Sequence, residues 1–400
     1  MATSSNCNGN LVVGIDASNL IRGGGLTHLV ELLSVAEPER YGVRRVIVWG
    51  TKTTISKLSK KHWLQLKSPN SLNRGNLSRL AWQRYRLART ASQEGCHVLF
   101  VPGGNFSGGF HPIVTMSRNM LPFEWRELRR YGVSLAALRL FVLRLTQTRT
   151  LRRADGVIFL NDYARDSVCK ITGSLPGVTA IIPHGRHSRF ELPPKPQRSI
   201  DSYSQADPLR MIYVSIVDQY KHQWNVVEAV NALRKAGLFV QLDLVGPAYR
   251  PAMLRLRKAI DKYDPLETWV KYHGPIEYEK LHQIYSKADL GIFASSCENL
   301  PNILLETMSA GLPIACSNRG PMPEILKQAG LYFDPEDPVS IESTLHRLVA
   351  STELRQKYAL AAYEASQHYS WSRCASETFS MLSTIGRAHL PPGLRNELKK

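Results

Sequence analysis

Two carboxylates, Glu298 and Glu306, are separated by seven residues in the run Ser295-Ser296-Cys297-Glu298-Asn299-Leu300-Pro301-Asn302-Ile303-Leu304-Leu305-Glu306. The apolar stretch before it reads as a buried strand, and the stretch after Pro301 reads as a helix. Proline suits a first helical turn because it has no N–H to leave unpaired. Gly311 suits the helix end, and Pro313 blocks continuation. The spacing predicts a helix of about ten residues with Glu306 on its second turn. The turn would present backbone N–H groups of Asn299, Leu300 and Asn302 at the positive end of the helix dipole, a seat for a diphosphate or a sugar hydroxyl. Two carboxylates bordering a strand end can hold vicinal hydroxyls through charge-assisted hydrogen bonds. Taken alone, such a spacing more often marks a capping glutamate and a solvated one. The strand–turn–helix setting is what favours a site.

A second group follows another apolar run, in Val214-Ser215-Ile216-Val217-Asp218-Gln219-Tyr220-Lys221-His222. An ammonium at the carboxyl end of a strand can neutralise a leaving diphosphate, although a loop lysine alone is usually just solvated. Near the start of the chain, Gly23-Gly24-Gly25 follows the strand Leu11–Ile15, and backbone without Cβ can approach a ligand there; a plain flexible turn is an equal reading. Ser117, Arg118 and Asn119 follow the strand Ile113–Met116. His184 and His273 stand at strand ends and are read as structural.

These groups need elements to carry them. Apolar runs at Leu11–Ile15, Val46–Trp49, His97–Val101, Ile113–Met116 and Val157–Leu160 alternate with polar and basic helical segments, as in a parallel sheet covered on both faces. The pattern restarts at Met211–Ile216, Val240–Val245, Val270–His273, Leu290–Ala294, Ile314–Ser317 and Leu331–Phe333. Residues 11–191 are therefore expected to form one doubly wound domain and 209–369 a second. The proline- and serine-rich 192–208 would link them, and a helix over 370–390 would cross back to the first domain.

The charge is unevenly placed. Residues 1–200 hold 29 basic and 11 acidic side chains, whereas the second half holds 22 of each. Such a one-sided field attracts anionic lipid, nucleic acid or phosphorylated substrates. In Asn76–Ala91, Arg79, Trp82, Arg86 and Arg89 share one helical stripe, which could lie on an anionic bilayer or simply face solvent. The helix Leu135–Leu145 reads as core packing. The six cysteines form no Cys-x-x-Cys pair, which suggests reduced thiols in a cytoplasm, and the N-terminus does not read as a signal peptide. No helix-turn-helix, RNP-type or zinc-finger pattern supports nucleic-acid binding, and no Asp-x-Asp motif signals a metal-held diphosphate.

The Glu298–Glu306 block resembles the Glu-x7-Glu signature of retaining glycosyltransferases of family four, which have the GT-B fold. Thr307-Met308-Ser309-Ala310-Gly311-Leu312-Pro313-Ile314-Ala315 is similar to that family's helix–Gly-x-Pro–strand continuation, and Gly320-Pro321-Met322-Pro323-Glu324 to its next helix start. Tyr285-Ser286-Lys287-Ala288-Asp289, and Ile182-Pro183-His184-Gly185 with Phe190, resemble two further segments of the family. The resemblance covers roughly residues 11–370 and is most specific over 285–325. It implies an α/β protein of two Rossmann-like, doubly wound domains facing each other across a cleft, and a UDP- or GDP-sugar donor with no cofactor or metal.

The resemblance also implies roles. Glu306 would bind the ribose hydroxyls, Glu298 the hydroxyls of the donor sugar, and backbone at Asn299, Leu300 and Asn302 the sugar and diphosphate. Lys221 would serve the leaving diphosphate. Ser215 stands where relatives carry an arginine, so Arg319, Arg22 or Arg118 would replace that cation. Gly24 and Gly25 would face the diphosphate and the acceptor. Arg118 and Asn119 occupy the place of a cleft-facing histidine, and Asn119 could contact sugar or acceptor. The expected setting is surface-polysaccharide assembly on a glycan or lipid-linked acceptor, in the cytoplasm at the inner face of the plasma membrane. A nucleotide-sugar epimerase of the same fold is the alternative, and a nucleic-acid-binding protein a more distant one.

Overall fold

The computed structural model describes residues 11–21 and 23–390. Arg22, named above as a replacement cation, lies outside them. Two compact units emerge. One gathers the residues up to Phe123, Leu138–Gly185 and those from Ser370 on; the other gathers Glu124–Ala137 and Arg186–Tyr369.

The first unit is built on β1 (Leu11–Ala17), β2 (Val43–Gly50), β3 (Leu64–Lys67), β4 (Val98–Val101), β5 (Ile113–Met116), β6 (Gly156–Phe159) and β7 (Val178–Ile181). All pairings are parallel, in the order β3-β2-β1-β4-β5-β6-β7. The interior strands are mostly apolar because helices cover both faces, and β1, β4, β5 and β6 are buried along their whole length. The last helix, Trp371–Ala388, belongs to this unit. A Cβ on Gly156 would lie 2.4 Å from Ile385 of that helix, and one on Gly185 would lie 2.1 Å from the backbone nitrogen of Trp371. Both positions admit the helix only because they are glycine.

The second unit carries β8 (Leu209–Val214), β9 (Val240–Val245), β10 (Val270–Gly274), β11 (Leu290–Phe293), β12 (Ile314–Ser317) and β13 (Leu331–Phe333), parallel throughout in the order β10-β9-β8-β11-β12-β13. In each unit the chain winds outward one way, returns to the centre, and winds out the other way. Binding crevices form where that reversal occurs, at the carboxyl ends of the two central strands. The reversal lies between β1 and β4 in the first unit and between β8 and β11 in the second.

Three expectations need correction. Residues 192–208 are not a free linker: the Leu192 N–H donates to the Ser309 carbonyl, Tyr203 is buried, and Phe190 just before them lies in the core beside Ile212, Tyr285 and Leu312. Residues 124–137 pack with the second unit, not the first, for reasons given below. The stripe Arg79–Trp82–Arg86–Arg89 does not exist as one face. The helix ends at Tyr85, another begins at Leu87, and Trp82 is buried with its ring 6.5 Å from that of Trp49. The indole serves the core, Arg79 is half-buried, and only Arg86 and Arg89 of the stripe are exposed.

Candidate functional site

The second unit's reversal point brings Lys221 and Glu298 together. The loop after β8 delivers the lysine, the loop after β11 delivers the glutamate, and they form a salt bridge. Lys221 is only 4% exposed, with its ammonium 5.0 Å from the Tyr220 ring centre and 5.3 Å from that of Phe293. Two aromatic faces and a carboxylate thus compensate a cation removed from water. The loops are also tied through backbone, since the Ser296 N–H donates to the Tyr220 carbonyl (2.8 Å). Ser215 is buried at the end of β8, and its hydroxyl donates to the Ile216 carbonyl at 3.1 Å.

The helix following Glu298 runs from Asn302 to Ser309, shorter than expected, with Pro301 just ahead of it and Gly311 closing it at φ +60°. Asn299 and Leu300 are buried and Asn302 is half-buried at the first helical position. Glu306 is 3% exposed, and among the described residues one of its carboxylate oxygens has no hydrogen-bond partner. Burial pushes its carboxyl up to about 7, against the opposing pull of a hydrogen bond from Tyr278 and the charge of Arg189. The Arg189 guanidinium lies over the Tyr278 ring at 5.2 Å. Sequence reasoning missed Arg189 and Tyr278. The only signal was their place beside Phe190 and before Tyr285, in segments noted for other residues.

Arg319 leaves the end of β12 and is ion-paired with Asp334. Its neighbour Gly320 lies against the Ser296–Glu298 loop, where a Cβ would stand 3.9 Å from the Glu298 nitrogen. The arginine is thus beside the site but already engaged.

The site rests on a strap from the first half of the sequence, residues 124–131. Glu127 is buried and accepts the Ser296 hydroxyl at 2.8 Å and the Arg130 guanidinium at 2.7 Å. Arg130 and Arg126 both pair with Glu336, at 2.9 and 2.6 Å. Tyr131 donates to Asp218 at 3.0 Å, so the strap grips both loops, three residues before Lys221 and two before Glu298. Burial raises the Asp218 carboxyl, while the Gln219 N–H and Tyr131 hydroxyl pull it back. His222, at φ +51°, places Nε2 2.9 Å from the Ser296 hydroxyl, and burial lowers its imidazole to about 3, leaving it neutral. Replacing Glu127 by alanine removes the carboxylate partner of the Ser296 hydroxyl, which keeps His222, and one of the two carboxylates that hold the buried end of Arg130. Urea unfolding should show a loss of about 1–3 kcal/mol, the usual result of unpairing buried polar groups.

In the first unit, Gly24 and Gly25 open the helix Gly24–Val35, and Arg118 donates to their carbonyls at 2.5 and 3.3 Å. Desolvation brings the Arg118 guanidinium down to about 10, so it stays charged at neutral pH. The Asn119 side chain accepts the Leu121 N–H at 3.2 Å and so closes its own turn. These four residues cluster near the ends of β1 and β5.

Comparison with known proteins follows the same lines. Residues 197–365 match the family described as "Glycosyl transferases group 1". The chain is 29% identical over 114 residues to the O-antigen chain mannosyltransferase B of Escherichia coli, a stretch that covers 28% of this chain and 30% of that protein. The alignment thus spans under a third of that relative's own length. Sucrose-phosphate synthase from Thermosynechococcus elongatus has a similar structure, with a TM-score of 0.74 at 18% identity, over 95% of this chain and 100% of that one. HepE of Anabaena, solved with UDP, gives 0.66 at 17% identity over 94% and 100%. At these identities the structural likeness speaks to the fold. Residues 197–365, most of the second unit, thus match the group 1 glycosyltransferases, in a chain with the GT-B fold.

Proposed function

We propose that this protein is a retaining glycosyltransferase that moves a sugar from a nucleoside diphosphate to a glycan or lipid-linked acceptor in cell-surface polysaccharide assembly. The observation that carries this reading is the meeting of Lys221 and Glu298 at the reversal point of the matched domain, with the half-satisfied carboxyl of Glu306 on the helix that follows. Glu306 takes the ribose hydroxyls, Glu298 takes hydroxyls of the donor sugar, and backbone at Asn299, Leu300 and Asn302 lines the sugar and diphosphate. Lys221 neutralises the leaving group. Ser215 contributes a hydroxyl where an arginine would otherwise stand, and Arg319 supplies a second cation if a phosphate draws it from Asp334. The relative's O-antigen role supports the polysaccharide setting, and the UDP in the HepE structure supports a uridine nucleotide.

The chemistry is front-face. The bond from the anomeric carbon to the diphosphate oxygen breaks as the bond to the acceptor hydroxyl forms on the same side, and the departing phosphate oxygen takes the acceptor's proton. Charge builds on the diphosphate as the sugar becomes oxocarbenium-like, so fixed cations and helix N–H groups aimed at it lower the barrier without a metal. Gly24, Gly25, Arg118 and Asn119 would serve the diphosphate and acceptor from the first unit.

Thermal unfolding against a panel of UDP- and GDP-sugars tests the reading. A true donor at a hundred times its dissociation constant stabilises by about 2.7 kcal/mol, a clear rise in midpoint. No shift with any nucleotide sugar would remove the donor from the proposal. Incubating the best binder without acceptor separates transfer from epimerisation, because only an epimerase would convert the donor rapidly to its isomer.

A further inference from the structure

The helix Leu135–Arg153 turns its apolar stripe the unexpected way. Leu140, Gln147, Thr150 and Leu151 face inward and are buried, whereas Leu138, Phe141, Val142 and Leu145 are 59%, 44%, 49% and 56% exposed. The exposed four follow the i, i+3, i+4, i+7 spacing of a single helical stripe. This overturns the expectation that 135–145 is core. Arg149 and Arg152 continue the same stripe, and the helix carries five arginines and no acidic residue.

A second helix borders the same loop. Thr146 donates to the Asn105 side chain (2.9 Å) and Thr150 accepts the Phe106 N–H (2.9 Å), while from the other side Gln83 donates to the Asn105 carbonyl (2.9 Å) and Arg84 to that of Ser107 (2.7 Å). That helix, Asn76–Tyr85, exposes Leu77, Leu80 and Tyr85 and again has no acidic residue. Arg86 and Arg89 follow it, both exposed.

We propose that this face of the first unit docks on an anionic lipid bilayer. Leu138, Phe141, Val142 and Leu145 enter the boundary between headgroups and acyl chains, and the arginines hold anionic headgroups around them. The pairing of an aliphatic stripe with a one-signed basic rim selects this occupant. A nucleic acid offers nothing to bury the four apolar side chains, and a second copy of the face would set arginine against arginine. Among the described residues no helix is long and apolar enough to cross a membrane, so the helix lies in the interface plane. The inference does not depend on the transferase reading, although a lipid-linked acceptor would be presented at such a surface.

The test is co-sedimentation of the full chain with vesicles of phosphatidylcholine, or of phosphatidylcholine with phosphatidylglycerol. The protein should pellet with the anionic vesicles, largely ignore the neutral ones, and bind less as salt rises. The pair Phe141→Asp and Leu145→Asp changes only exposed side chains and should keep the thermal midpoint while weakening the partition about tenfold or more. Arg139→Gln with Arg149→Gln should weaken it more at low salt than at high salt. The proposal is overturned if the wild-type chain stays with the supernatant at low salt. It is equally overturned if the aspartate pair binds as well as wild type, which would assign binding to charge elsewhere. A wild-type dimer that the aspartate pair splits, with no vesicle binding, would make the face a protein interface instead.

Discussion

Lys221→Ala should lower kcat by roughly 100-fold or more, by analogy with the removal of one oxyanion-stabilising donor. The lysine is held at the end of β8 by a carboxylate and two rings, so it is fixed before any substrate arrives. A cation fixed in advance pays no reorganisation as charge develops on the leaving diphosphate, and its effect falls mainly on the transition state. Donor affinity should therefore change less than kcat. The variant also leaves Glu298 without its partner in a largely buried setting, and breaking such a pair costs about 3–5 kcal/mol in fully buried cases. The double variant Lys221→Met, Glu298→Gln removes both charges and restores stability without restoring turnover. A folded Lys221→Ala protein with near-normal kcat would move the role to another cation, Arg319 being the nearest candidate.

Glu306→Gln should weaken donor binding and abolish its pH dependence. With its carboxyl at about 7, Glu306 is half protonated at neutrality. Ribose hydroxyls donate more strongly to a carboxylate than to an acid. Binding should thus draw off a proton, and affinity should rise from pH 6 to pH 8, steeply below 7 and little above it. A nucleotide sugar is the right probe, because its diphosphate stays ionised across that window. Stability runs the other way. The folded protein holds this proton more tightly than the unfolded chain, whose carboxyl has the ordinary value near 4.5. The resulting stabilisation is complete below that value and is lost as pH rises through about 7, up to roughly 3 kcal/mol. The glutamine variant lacks the loss and should be the more stable protein at pH 8. Calorimetry showing the same pH profile in both proteins would take the ribose role away from Glu306.

The motifs that were legible in the sequence are those whose chemistry is local. Pro301, Gly311 and Pro313 bracket the helix because their backbone preferences act within a few residues, and the central strands stand out because burial on both faces leaves few polar positions. The strands β3 and β7 did not stand out. β3 is only Leu-Gln-Leu-Lys and β7 is half exposed at the sheet edge, so neither needs an apolar run. The strap was invisible for a different reason. Glu127 reaches Ser296 across 169 positions and Tyr131 reaches Asp218 across 87, and no local pattern encodes such a partner. Glu124-Trp125-Arg126-Glu127-Leu128-Arg129-Arg130-Tyr131 mixes acidic and basic side chains, a pattern that carries no mark of a buried partner. Trp82 misled in the opposite sense, since a helical wheel cannot show that the helix breaks at Arg86.

The helix Trp371–Ala388 closes the first unit, yet it is made only after all thirteen strands of both sheets. During translation the sheet β1–β7 leaves the ribosome with the surfaces around Gly156 and Gly185 uncovered. They stay so while all six strands of the other sheet are synthesised. The amino-terminal half is therefore finished after the carboxyl-terminal half, and a nonsense codon before residue 371 would damage the part of the protein encoded first.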